Sequence, residues 1–342
     1  MQQQAVNQFY KDTRTRGRVR GTIDEYLGFF DESKGGDVGA RRSGYTTMIN
    51  HYYDLVTDFY EQAWAKSFHF APRFEDESFE ASLARAEHFF ALKLQLEEGM
   101  KVLDVGCGVG GPMRSIARFS GASVDGVNNN EYQLTKLRQY CEESGLADRC
   151  RGFKADFMHL DVPDQTYDAA YAFEATCHAP DKTAVFREIL RTLKPGGRFA
   201  AYEWCMTEGF DPDSLEHQRI KKGIETGDGL PDIATIDETR AALVDAGFEV
   251  LDTHDAASTG DPETPWYLPL VGETNSVLAL RRGRLGRILA DRMLGTLEAL
   301  RVVPKGSTEV SVMLSAAAEA LIAGGELGIF TPNYFLLARR PD

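Results

Sequence analysis

The sequence predicts an α/β protein built on a doubly wound, mostly parallel sheet. Three observations carry that expectation. Val102, Leu103 and Val105 form the apolar run of a buried strand that passes directly into a glycine turn and then into a helix near Pro112. Strand-length apolar runs then alternate with helically spaced segments as far as residue 254. Finally, Asp104, Asn128, Asp156 and Glu174 stand at the ends of four different strands, where sheets of this kind hold ligands.

In order along the chain, residues 1 to 45 are rich in Gln, Arg, Gly and Asp and read as a flexible arm with short helical pieces. Residues 46 to 256 read as a core. It opens with an aromatic helical segment in which Tyr52, Tyr53, Phe59, Tyr60, Trp64, Phe68 and Phe70 crowd around His51, Glu61 and His69. Ser78 caps a helix to Leu94, which stops before Gly99. The first strand is expected over 101–105, with later ones over 123–127, 150–154, 167–173, 198–204 and 249–254. Helices are expected over 113–121, 131–143 and 182–193, and Thr235 with Glu238 forms a capping box for one ending at Gly247. Residues 257 to 342 form a third unit. Its mainly helical insertion is too long for a simple connection, and a last strand follows at 333–339.

Composition narrows the function. The 342 residues carry a net charge of −14, against a nucleic-acid partner, and no apolar run is long enough to span a bilayer. Five cysteines without a C-x-x-C pair indicate neither a disulfide frame nor a metal site. The first twenty residues lack the apolar stretch of a secretory signal, so a cytoplasmic protein is expected. One basic stretch stands out: Arg281, Arg282, Arg284 and Arg287 open a helix with Leu285, Ile288, Leu289, Met293, Leu297 and Leu300 at apolar spacing. A solvated face is the commoner role for such a helix, and peripheral contact with an anionic membrane is the alternative.

The glycine turn, Gly106, Gly108, Gly110 and Gly111, lets the backbone approach a cofactor closely. Its spacing alone also fits a dinucleotide, so a nicotinamide oxidoreductase has to be weighed. Asp104 tips the balance, because an acid two residues before the first glycine is placed to meet a cationic amino group. S-adenosylmethionine has that group and NAD does not. Asp156, with Phe157 beside it, suits the adenine; Asn128 is a weaker ribose ligand than an acid, with Gln133 and Asn130 available to share the task.

Several blocks together resemble the sterol 24-C-methyltransferases: Tyr60-Glu61 with Trp64, Ser67-Phe-His-Phe70, Leu103-Asp-Val-Gly-Cys-Gly-Val-Gly-Gly-Pro112, Glu174-Ala-Thr-Cys-His-Ala-Pro180, Tyr202-Glu-Trp204 and Gly227-Asp-Gly-Leu-Pro231. Pro304-Lys-Gly306, Gly324-Gly325 and Phe330-Thr-Pro332 extend the resemblance over about residues 45 to 340. It implies a seven-stranded, Rossmann-like methyltransferase sheet and methyl transfer from S-adenosylmethionine to the side-chain double bond of a sterol. Two positions depart from the family's usual Tyr-Glu-x-Gly-Trp-Gly, Ala63 and Ala65, and bear on which sterol is accepted.

Such a reaction passes through a carbocation, which aromatic faces can stabilise without trapping it. Tyr60, Trp64, Phe68, Phe70, Tyr202 and Trp204 are the expected substrate-facing residues. Glu174, His178, His69 and Glu61 are the candidates to take the released proton, and Glu174 also counts among the cofactor residues. A methyltransferase of squalene or of a prenylated quinol, and a sterol carrier without catalysis, remain alternatives. Self-association into a homo-oligomer is left open.

Overall fold

The computed structural model describes residues 18–272 and 283–342. Three helices come first: α1, Arg18–Gly28; α2, Val38–Ser43; and α3, Tyr45–Ala63. Helix α4, Phe79–Lys93, is capped by the Ser78 side chain, which accepts from the Ala81 N–H. Then follow β1, Lys101–Val105; α5, Gly111–Ser120; β2, Ser123–Asn128; α6, Glu131–Glu143; β3, Cys150–Lys154; and β4, Tyr167–Phe173. After a 3₁₀ turn at Thr176–His178 come α7, Lys182–Thr192; β5, Leu193–Met206; α8, Leu215–Asp228; α9, Ile236–Asp245; and β6, Glu249–Asp255. The expected capping box of Thr235 and Glu238 opens α9. The insertion holds the short α10, Leu268–Val271, then α11, Arg284–Ala299, and α12, Ser307–Glu326, before β7, Phe330–Arg339.

The seven strands form one sheet in the order β3-β2-β1-β4-β5-β7-β6. Every pairing from β3 through β5 is parallel, and β7 alone runs antiparallel, between β5 and β6. Strand order reverses between β1 and β4, which opens the crevice where such sheets bind ligands. Alternate residues feed two cores. Val102, Tyr171, Phe173 and Tyr202 join α4 and α5 on one face, while Leu103, Val105, Ala172 and Phe199 join α7 and α9 on the other. Central strands buried on both sides are what the continuous apolar runs require.

The described part of the expected arm is ordered helix. Ile23, Tyr26 and Phe30 are buried against Met48, Tyr52, Val310 and Met313, and the Tyr26 hydroxyl donates to the Thr226 carbonyl at 2.6 Å. Their spacing of three and four is a helical apolar stripe that the polar composition around it obscured. Residues 1–17 of that expectation lie outside the described residues, as do Arg281 and Arg282. Helices α8 and α12 approach closely because a Cβ on Gly227 would fall 2.2 Å from that of Ala317. These outlying helices form a cap over the carboxyl ends of the strands.

Candidate functional site

Two adjoining cavities lie under that cap. The smaller, with about 630 Å³ of empty space, is bounded by Gly106 and Gly108 after β1, Asn128 at the end of β2, Asp156 and Phe157 after β3, and Glu174 after β4. Gly106, Gly108 and Gly110 have φ of 84°, 52° and 77°, the left-handed region that favours glycine. At Gly106 the reason is also steric, since a Cβ there would sit 2.3 Å from that of Ala175. The ends of β1 and β4 close only over a glycine. Gly110 caps α5 behind this wall, outside the lining residues.

Asn128 and Gln133 are joined at 2.8 Å, and the Asn128 amide also donates to the Gly108 carbonyl at 3.2 Å, which steadies the turn. Asp156 accepts from the Met158 N–H at 2.9 Å and from the Tyr45 hydroxyl. Tyr45 thus belongs to this cavity, although its segment showed no chemistry in the sequence. Asp104 is placed differently from the expectation. It is 2% exposed, does not line the cavity, and accepts from the Tyr171 hydroxyl at 3.0 Å behind the turn. Burial pushes its pKa up to about 7, with the Tyr171 hydrogen bond pulling the other way.

The larger cavity, with about 1190 Å³ of empty space, is walled by aromatic and aliphatic side chains. Tyr60, Trp64, Phe68, Phe70 and Trp204 all reach it, together with His69 and aliphatic residues of α10 and α12. Trp64 is fixed by its Nε1–H, which donates to the His69 carbonyl at 3.1 Å, and by edge contacts to Phe70 and Phe79 at 4.9 and 4.8 Å. Among the described residues its one lining carboxyl besides Glu174 is Asp228, which accepts from Tyr60 at 3.3 Å while its Oδ2 has no hydrogen-bond partner there. Burial pushes Asp228 up to about 7, opposed by Tyr60 and Tyr52.

Four residues line both cavities: Tyr53, Phe68, Glu174 and His178. Glu174 follows β4 with a φ of 52°, a conformation costly for a residue with a side chain. Its carboxylate accepts from the Phe70 N–H at 2.6 Å, the Trp204 Nε1–H at 2.8 Å and the Asn333 amide at 3.3 Å. Burial drives its pKa well above the ordinary value, against the pull of Trp204 and Phe70. His178 has Nδ1 3.0 Å from the Gly229 carbonyl, which can only accept, so Nδ1 carries the hydrogen. Burial lowers His178 to about 4 and keeps the ring neutral. Its Nε2 lone pair therefore receives the Tyr53 hydroxyl, at 3.0 Å.

Other sequence candidates fall elsewhere. Glu61 lines neither cavity; it holds Lys136 at 2.5 Å and accepts from Tyr140 at 2.5 Å on the flank of α6. Tyr202 is sealed in the core among Phe90, Phe173 and Phe335. His69 lines the larger cavity, but its two ring nitrogens face the Phe70 carbonyl at 2.7 Å and Glu87 at 3.3 Å, so both face acceptors. Ala65 packs on the core and lines neither cavity, and the side chain of Ala63 lies outside the description. Among the described residues no group of His, Cys, Asp and Glu could hold a metal ion.

Residues 102–197 match the sequence profile of a methyltransferase domain, and residues 277–342 that of the sterol methyltransferase C-terminal family. Over 308 residues the chain is 52% identical to cycloartenol-C-24-methyltransferase of Arabidopsis thaliana, covering 90% of this chain and 91% of that one. The chain belongs to the sterol 24-C-methyltransferase family. It is also 45% identical over 328 residues to the sterol 24-C-methyltransferase of Saccharomyces cerevisiae, covering 94% and 85%. In fold, this methyltransferase resembles the [4+2]-cyclase SpnF, with a TM-score of 0.64, 25% identity and coverage of 86% and 97%. It resembles the mycolic acid cyclopropane synthase CmaA1 as well, with a TM-score of 0.66, 19% identity and coverage of 85% and 96%.

Four residues at or behind the two cavities carry no individual motif in the sequence for these positions: Tyr45, Tyr53 in the shared wall, Asp228 and Asn333. Asp228 lay within a family block without a role attached, and Asn333 reaches Glu174 from 159 positions away. A polar residue inside an apolar strand end, as at Asn333, was the available signal.

Proposed function

We propose that the two cavities divide one reaction, transfer of a methyl group from S-adenosylmethionine to carbon 24 of a sterol side chain that carries a double bond. The smaller takes the cofactor and the larger the sterol. The observation that carries this reading is the common wall, where Tyr53, Phe68, Glu174 and His178 border both spaces. The open glycine turn and the donors and acceptors of Asn128, Gln133 and Asp156 fit the cofactor. Asn128 and Gln133 suit its ribose, Asp156 with Phe157 its adenine, and Asp104 balances its amino group from behind the turn. When bound, S-adenosylmethionine supplies an electron-poor methyl group.

An isolated alkene is a weak nucleophile, so the larger cavity must exclude water and hold the side chain in line. Methylation leaves a positive charge on the sterol. Ring faces of Tyr60, Trp64, Phe68, Phe70 and Trp204 stabilise it by about 2 kcal/mol or less each, and the Glu174 carboxyl, held by the Phe70, Trp204 and Asn333 donors, sets the polarity of the wall beside them. A C–H bond then breaks and its electrons form the new alkene. The proton goes to the Tyr53 oxygen while the Tyr53 hydrogen moves to His178 Nε2, the one imidazole lone pair already aimed at the wall. Residues 46–256 act as the cofactor core and 257–342 as the sterol-side segment. A cytoplasmic, membrane-peripheral location suits a membrane lipid as substrate, and no described helix is long and apolar enough to cross a membrane.

The test is incubation of the purified chain with methyl-labelled cofactor and a panel of sterols, squalene and prenylated quinols. Label at carbon 24 of unsaturated sterols, absent with the saturated side chain, is expected; label only in the other lipids overturns the sterol assignment. Under single turnover, Glu174→Gln and His178→Ala are expected to divert product toward alcohols or other alkenes. An unchanged distribution in both removes the Glu174 carboxyl and the His178 imidazole from control of the cation's discharge.

A further inference from the structure

Helix α11 is mounted inside out. On an ordinary surface helix the apolar stripe faces the core and the charged residues face water. Here the acids point inward: Asp291 accepts from Ser315 at 3.1 Å and from Ser311, and Glu298 accepts from the Gly306 and Thr308 N–H groups, each at 3.0 Å. No residue of α11 is fully buried, and the outward half of the helix carries Leu285, Leu289, Met293 and Leu300 at 69%, 63%, 59% and 68% exposure, with Ile288 beside them. Val302, nearby in sequence, and Val312 on α12 are exposed too. Arg284, Arg292, Arg301 and Lys305 of the same segment are all exposed, Arg284 with the Glu319 carboxylate 3.7 Å away. In a chain of net charge −14, residues 281–305 hold seven arginines and lysines against two acids. The inner side of the same helix lines the larger cavity through Arg287 and Ala290.

We propose that the outer face of α11 docks on a bilayer containing anionic phospholipid, so that a single helix separates the membrane from the cavity that receives the sterol. The leucines and methionine enter the boundary between headgroups and acyl chains, and the arginines meet the headgroup phosphates. Charge complementarity selects this occupant. A basic rim in an acidic protein is attracted to an anionic surface, whereas a second copy would bring an identical basic rim against it. The purpose of this surface rests on the sterol reading; its detection does not.

The test uses full-length protein and sterol-free vesicles, of phosphatidylcholine alone or with about one third phosphatidylserine, with bound protein read by flotation. Binding to the anionic vesicles is expected to be tighter by about tenfold or more and to weaken with salt. The double variant Leu285→Ser with Leu289→Ser should lower partition by about tenfold or more, and Arg284→Glu with Arg292→Glu should remove the preference for anionic lipid. Both variants should keep the wild-type circular dichroism and methylate cyclodextrin-delivered sterol at the wild-type rate, while methylation of vesicle-borne sterol falls with binding. Wild-type vesicle binding by the double leucine variant overturns the proposal. So does a wild-type protein without vesicle affinity, including one that sediments as a dimer which Leu289→Ser separates, since the face would then join two copies. Vesicle binding that persists while no sterol is methylated from cyclodextrin supports the docking surface and removes the sterol reading instead.

Discussion

The two cavities are built in opposite ways. The smaller hangs from consecutive strand ends of one sheet, and its glycine turn, Asn128, Asp156 and Glu174 lie within about seventy residues of sequence. The larger is assembled from α3, α8 and the helices α10 to α12, so that Tyr52 and Ser315 share a wall across more than 260 positions. A site hung on strand ends is held by backbone geometry. One closed by packed helices is held by side-chain fit and can change its contents without disturbing the sheet. Substitutions in the two should therefore fail in different ways.

The largest effect is expected at Gly106. A valine there meets Ala175 at 2.3 Å and is forced to a φ of 84°, so Gly106→Val should weaken cofactor affinity by about two powers of ten or more, read by calorimetry with circular dichroism as the control for folding. Trp64→Leu should do the reverse. Cofactor affinity should be kept while turnover falls by about one to two powers of ten, from loss of about 2 kcal/mol of cation stabilisation. A Trp64 variant that loses cofactor binding in proportion to turnover would show that the cavities are not separable.

A smaller effect separates them by pH. The Asp228 carboxyl is raised to about 7 in the fold and returns to its ordinary value near 4 when unfolded, so between those values the folded state binds more protons. Stability contributed there is full below about pH 4 and is lost as pH rises through 7. Asp228→Asn keeps an acceptor for Tyr60 and removes the titration. Its melting temperature relative to wild type should therefore climb across that window, by the equivalent of at most about 4 kcal/mol. Asp104, raised in the same direction, and His178, lowered to about 4, are present in both proteins and cancel in the difference. A flat difference would mean that Asp228 titrates normally. The smallest effect is expected at Glu61. Glu61→Gln should leave turnover within about twofold and cost about 1 kcal/mol of stability through loss of the Lys136 pair. A collapse of turnover with normal stability would return Glu61 to the reaction.

The same contrast explains what could be read from the sequence. Strands β1 to β6, the glycine turn, the Ser78 cap and the Thr235 box are local patterns, and each was visible within ten or so residues. The aromatic block, crowded beside titratable groups, left a pocket-lining role open next to plain core packing, and Tyr60, Trp64, Phe68 and Phe70 line the larger cavity. What stayed hidden depends on distant partners. Asp104 looks like a direct lining residue of the smaller cavity until Tyr171 is found covering it from β4, and Glu61 looks like a pocket residue until α6 supplies Lys136 and Tyr140. Tyr45 gains its role only where Asp156 reaches it. Strand β7 begins at Phe330 rather than Asn333 because Thr331 and Phe330 find partners at Cys205 and Met206.

The placement of β7 has a consequence for the making of the protein. The last strand in the sequence occupies the slot between β5 and β6, so while the chain is being synthesised those two strands keep bare edges. An exposed strand edge is a template for joining another chain. The sheet is thus sealed late, after β6 has been made, like a zipper whose final tooth is fitted between two others. Deleting β7, Phe330–Arg339, would withdraw the strand that holds Asn333 against Glu174 and leave the facing edges of β5 and β6 open to another chain.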